Sequence, residues 1–211
     1  PITVIAYFIL VMVPLPVMQF RSDKLISKVV ISGISLGFVV FAVYQFVLPY
    51  PGQWHWKNGT IAAESTSWPK AVNHYQHTLA YLPDEGELHF HLGAALVMQG
   101  SATRGLTHLE RALKNFNDRN IYLTKSLAYM DLKQFKKAEE NAQTALSMFP
   151  DHLAPHLLLG EIYYYTGQKN KSRESLLKCI KQQTTVQSDQ TRKISEDASE
   201  LWKQFFGQIH D

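Results

Sequence analysis

Nine histidines are the first residues in this 211-residue chain whose type could do chemistry. Imidazole is a common ligand for zinc and its neighbours, but such a site needs three or four ligands converging on one ion. His89 and His91 lie two apart and would point to nearly opposite sides of a helix. His74 with His77, and His152 with His156, have face-sharing helical spacing. Neither pair has an obvious cysteine or carboxylate to complete a tetrahedral set, so no metal and no cofactor is expected. Glu139 and Glu140 are adjacent on a helix and do not face each other, which makes them a poor acid/base pair. No Gly-rich phosphate loop and no Gly-x-Ser-x-Gly elbow occurs. The single cysteine, Cys179, excludes an internal disulfide and falls at a small-residue position, where packing is expected rather than reactivity. Asn58-Gly59-Thr60 and Asn170-Lys171-Ser172 fit the glycosylation acceptor pattern by chance. No catalytic residue is therefore expected. The formal net charge of +3 is too mild to argue for nucleic acid.

What remains is a surface, and the elements that build it are visible as a repeat. In residues 151–180, Asp151 can cap a helix, Pro155 falls in its first turn, and Gly167 ends it. Leu153, Leu157, Gly160 and Tyr164 recur at helical spacing, and Leu176, Cys179 and Ile180 carry the apolar face of a second helix. The pattern recurs upstream. A unit beginning at Arg119 places Tyr129 where Tyr163 falls. One beginning at Gly86 matches Leu92-Gly93 to Leu159-Gly160 and Gly100 to Gly167. A fainter one begins at Gly52, with Gly59, Ala71, Tyr75 and Pro83 in register. This is the skeleton of a tetratricopeptide unit, with its period of about 34 residues. The expected fold is all-α: a tetratricopeptide-like α-solenoid of three to four helix hairpins over residues 50–188, then a C-terminal capping helix within 189–211. Ile194, Ala198, Leu201, Trp202 and Phe205 form the apolar stripe of that last helix.

In such arrays the first helix of each unit lines the concave face. Register then assigns the groove to Phe90, Val97 and Met98, to Leu123, Leu127 and Met130, and to Leu157, Tyr164 and Tyr165. A groove this apolar suits an amphipathic helix or an extended peptide of a protein partner. The same residues could equally pack against the chain's own last helix.

Residues 1–49 read differently. Two apolar runs, about 2–20 and 25–47, are each about long enough to cross a hydrocarbon core of ~30 Å. The expectation is a transmembrane hairpin in contact with the lipid bilayer, with Gly33 and Gly37 permitting close helix contact. Arg21, Lys24 and Lys28 crowd the loop between the runs, whereas the far side offers only Lys57, with Trp54 and Trp56 at the interface. That bias predicts a multi-pass protein of a bacterial inner membrane with its repeats outside the cytoplasm, in the periplasm. Because the first residue is Pro1, the chain is expected to be a fragment.

Residues 70–206 also resemble the C-terminal part of the O-antigen ligase/polymerase-like membrane proteins, in particular those of Bacteroidetes. The resemblance rests on residues 145–159, ALSMFPDHLAPHLLL, on Tyr163-Tyr164-Tyr165-Thr166-Gly167-Gln168, and on a polar turn before a closing helix. The family's tail often reads VKV-S, and here Thr185-Val186-Gln187-Ser188 lacks the lysine. The resemblance implies the last two spans and an accessory repeat domain of a ligase of lipopolysaccharide biosynthesis, which meets a lipid-linked glycan through a region upstream of Pro1. It carries no catalytic residue onto this chain. The alternative is a non-enzymatic, membrane-anchored tetratricopeptide adaptor of the cell envelope.

Overall fold

The computed structural model describes residues 24–42, 50–181 and 188–207. The chain divides into two compact units, residues 1–50 and 51–211. In the first unit the described element is helix α1, Lys24–Ala42.

α1 corrects the membrane expectation. Among the described residues, no helix is long and apolar enough to cross a membrane. The 19 residues of α1 begin with Lys24 and include Lys28. The described part of α1 after Lys28 runs to Ala42, about 21 Å at the rise of an α-helix, against ~30 Å of hydrocarbon. The predicted span 2–20 lies outside the described residues, as does the end of the predicted span 25–47. Among the described residues the expected transmembrane hairpin therefore has no spanning helix, and the multi-pass inner-membrane placement that rested on it is not upheld. Among the described residues nothing lies within 4 Å of a Cβ at Gly33 or Gly37; the helix expected to meet them lies outside those residues.

The second unit holds nine described helices: α2 Tyr50–Glu64, α3 Trp68–Leu79, α4 Gly86–Met98, α5 Ala102–Ala112, α6 Arg119–Asp131, α7 Phe135–Met148, α8 Leu153–Tyr165, α9 Lys169–Lys181 and α10 Asp189–Phe206. Local sequence dictates their ends. Asp118 accepts a hydrogen bond from the Asn120 amide and caps α6. At α8 the cap is His152, whose Nδ1 accepts from the Ala154 amide, and not Asp151. Ser188 and Thr191 bond reciprocally across the first turn of α10.

Each hairpin turns at one left-handed residue: Thr66 (φ 56°), Gly100 (φ 84°), Lys133 (φ 56°) and Gly167 (φ 77°). The amide after each turn residue bonds back to the helix just ended: Ser67 to Ala62, Ser101 to Leu96, Gln134 to Tyr129 and Gln168 to Tyr163. Only two of the four turns use glycine, the residue for which this backbone carries no steric cost.

Small residues let the paired helices close. A Cβ at Gly93 would meet Leu109 at 2.9 Å, and one at Gly160 would meet Leu176 at 2.7 Å. The third and fourth hairpins add a hydrogen bond at this crossing. Ser126 Oγ donates to the Ala138 carbonyl at 2.9 Å, and Ser172 Oγ donates to the Gly160 carbonyl at 2.7 Å. These two bonds link the same pair of repeat positions in opposite directions.

Between repeats, α4 packs on α6, α6 on α8, and α8 on α10. The second helices approach one another less closely from hairpin to hairpin, so the stack curves toward the first helices, and their outer stripe forms the inner, concave face. α10 covers the last repeat: Ile194, Leu201, Trp202, Phe205 and Phe206 pack on a core of Leu153, Leu176, Cys179 and Ala198.

Candidate functional site

The histidines come together in a way their spacing did not suggest. His55 Nδ1 lies 3.2 Å from His74 Nδ1, and His89 Nδ1 lies 3.0 Å from His108 Nδ1. The second pair is the first moved along by one repeat. In each pair the ring centroids, 5.5 and 5.2 Å apart, are separated by about the nitrogen distance plus two ring radii. The nitrogens therefore meet end on, which is the geometry of an N–H···N hydrogen bond rather than of two lone pairs converging on an ion. His89 Nε2 lies 2.9 Å from the Pro83 carbonyl, which can only accept. Neutral His89 thus carries its proton on Nε2 and accepts at Nδ1, and His108 donates. Burial first, then the neighbouring His89 and the charges of Arg111 and Arg104, lower the His108 pKa to about 4.

The pairs singled out by spacing do not act as pairs. His77 stacks on His55 with centroids 5.0 Å apart, while His74 meets His55 through Nδ1. His152 is spent on the α8 cap, and His156 is half-buried. Among the described residues no group of three His, Cys, Asp or Glu could hold a metal ion. Glu139 accepts from Gln143. Cys179 is buried, its Sγ donating weakly to the Leu153 carbonyl at 3.5 Å, and burial pushes its thiol up to about 12. Such a thiol is inert at neutral pH.

The groove candidates fall into four groups. Val97 is 4% exposed and sealed in the core, and Phe90 packs half-buried against Phe116. Leu123, Leu127, Met130 and Leu157 are half-buried at the seams between first helices. Met98 and Tyr165 are 52% and 53% exposed. Tyr164 is covered by the chain itself: Phe205 lies 3.6 Å away, ring on ring, and Phe206 approaches it edge on. The Arg173 guanidinium sits 4.7 Å over the Phe206 ring.

Sequence reasoning missed Glu161. It stands in the stripe with Leu157 and Tyr164 and is half-buried. Burial first, and the Asp131 charge second, push its carboxyl above the usual range. The signal was a lone acid inside LLLGEIYYY, which a search for paired catalytic carboxylates passes over.

Comparison with known proteins agrees with this geometry. Tetratricopeptide repeat family models match residues 57–120, and residues 120–152 and 154–184. No curated protein matches. Among solved structures, the chain is similar to MamA 41-end from Desulfovibrio magneticus RS-1, with a TM-score of 0.60 and 21% identity over 65% of this chain and 78% of that one. It is also similar to YrrB, described as a TPR protein with an unusual peptide-binding site, with a TM-score of 0.58 and 20% identity over 84% of this chain and 88% of that one. The Arabidopsis OM64 TPR domain follows at a TM-score of 0.50 and 19% identity, over 53% of this chain and 93% of that one. These likenesses concern the fold. Every family match falls on the repeats, and none supports the O-antigen ligase resemblance or the lipid and glycan partners it implied. Residues 57–184 are tetratricopeptide repeats, a domain suited to protein–protein interaction, and the chain belongs to the family of proteins built from them.

Proposed function

We propose that this protein is an adaptor that holds a segment of a partner protein along the inner face of residues 50–188, with residues 189–211 closing the array. One observation carries the reading. The first helices stack into a continuous inner layer whose seams hold Leu123, Leu127, Met130 and Leu157 half-buried, and whose ends leave Met98 and Tyr165 open. Single exposed apolar residues are ordinary, but an aligned set along one concave face is the mark of a binding surface. The peptide-binding site named for YrrB, on a similar fold, is in keeping with it.

Selection of binders from a random peptide library tests the reading. Peptides should be enriched on the native protein and lost on Leu127→Lys and Tyr165→Lys, each shown to melt like the native chain. They should be kept on Glu140→Gln, on a second helix. Binders that ignore both inner-face substitutions would refute it.

A further inference from the structure

Six of the nine histidines fall between residues 55 and 108, and four of them form two couples. Each couple joins the first helix of a hairpin to the second: His55 of α2 to His74 of α3, and His89 of α4 to His108 of α5. The couples stand 34 residues apart, one full repeat. The later hairpins do not continue the series. The equivalent positions hold Tyr122 and Asn141 in the third hairpin, and His156 and Ser175 in the fourth. Histidine couples are therefore confined to the first half of the array.

The contact suits neutral rings. An N–H···N bond lasts only while one nitrogen keeps its lone pair. His89 already carries a proton on Nε2, 2.9 Å from the Pro83 carbonyl. A further proton on that ring must go to Nδ1, the accepting atom, and the bond is then lost. A further proton on His108 goes to Nε2, where burial, and then His89, Arg111 and Arg104, oppose it. At the first couple, partial burial, and then His77 and His74, hold His55 below the ordinary histidine range.

The surroundings do little to offset a positive charge. Among the described residues neither couple forms an ion pair with a carboxylate. The cavity beside His89 is lined by Arg111 and Lys114 against one acid, Asp84. From α4, Glu87 is paired with His91 at 3.7 Å, and Glu110 of α5 is exposed. From α6, Arg119 sits over the Phe149 ring. At the first couple His77 stacks on His55, and the charged residues of α2 and α3, Lys57, Glu64 and Lys70, are exposed.

We propose that the first two hairpins, residues 50–112, are an acid-sensitive half of the array: on acidification the two histidine couples part, and these hairpins open before the third and fourth do. A repeat stack permits this, because each hairpin touches only its neighbours and can open without the rest. Opening frees the core of Tyr75, Leu88, Leu92 and Leu96. With at least one proton taken up per couple, each couple favours opening by about tenfold per pH unit below about 6.5. The third hairpin has no histidine, and the fourth has the uncoupled His152 and His156, so the later half takes up fewer protons. This change of fold is independent of whether the inner face holds a partner.

Hydrogen exchange of the full chain, read by peptide mass spectrometry and corrected for the intrinsic rate at each pH, follows the two halves separately. From about pH 6.5 to about 5, protection within residues 50–112 should fall on the order of a thousandfold, and within residues 119–181 on the order of tenfold less. His74→Asn combined with His108→Asn puts at both couples the residue type that the third hairpin carries at Asn141, an uncharged side chain that can still donate or accept. That variant should keep most of its protection in residues 50–112 at the lower pH. His156→Gln should leave the acid loss in residues 50–112 unchanged. Equal losses in the two halves of the native chain, or an undiminished loss in the double variant, overturns the proposal. If the double variant does not fold at neutral pH, the comparison of halves in the native chain decides.

Discussion

Tyr164 of α8 lies flat against Phe205 of α10, with ring centroids 3.6 Å apart and planes 4° from parallel. One groove residue of the final repeat is thus covered by the chain's own closing helix, which takes the place that the first helix of a further repeat would hold. Burying such a pair is worth more than its area alone, since stacked aromatics add ~0.5–1.5 kcal/mol. Phe205→Ala should therefore lower unfolding stability by about 2 kcal/mol. Urea denaturation checks this, and an unchanged midpoint would show that the end of α10 is not docked in solution.

The hairpin turns offer a stabilising change. Lys133 holds φ 56°, where Gly100 and Gly167 stand in two of the equivalent turns. A side chain in the left-handed region costs roughly 1–2 kcal/mol. Lys133→Gly recovers part of this and gives some back as unfolded-chain entropy, for a net gain of about 0.5–1 kcal/mol. Gly167→Val should lose more than this in the opposite direction, because a β-branched residue tolerates that backbone least. Thermal melts of the two variants should move apart on either side of the native protein.

The buried hydroxyl bonds can be tested singly. Ser172 is 0% exposed and donates to the Gly160 carbonyl. Ser172→Ala leaves that carbonyl without its side-chain donor and should cost about 1 kcal/mol. Gly160→Leu acts at the same crossing by overpacking against Leu176, and should cost ~1–3 kcal/mol. A Gly160→Leu protein that melts with the native one would mean that the helices do not approach as closely as the Leu176 contact requires.

Stability should also depend on pH through the His89–His108 pair. The His108 pKa is lowered in the folded state from 6.5 to about 4, so the unfolded chain binds the extra proton more readily. Stability from this group is fully present above about pH 6.5 and is lost as pH falls toward 4. His108→Asn should flatten the stability profile between these limits. A profile as steep in the variant as in the native chain would assign the loss to other groups.

Local rules in the sequence determined the repeat. Glycine and alanine at helix crossings, aromatics beside them, and a turn residue every 33 or 34 positions are short-range requirements, and each leaves its mark on one residue at a time. The all-α solenoid followed from them, as did the burial of Cys179 and the closing role of the Trp202–Phe205 stripe. The membrane hairpin was read from hydropathy alone. Apolar runs separated by serines and by Lys28 have the composition of a span, but among the described residues no helix is long and apolar enough to cross a membrane. Tertiary structure decided what depends on which repeat faces which. His55 meets His74, and His89 meets His108, because helices of one hairpin cross at those positions; 19 residues of separation match no local periodicity. Tyr164, open by register, is closed by α10. Periodicity tells which side of a helix is apolar, but the neighbour that covers it is chosen by superhelical stacking, whose contacts join residues far apart in the chain.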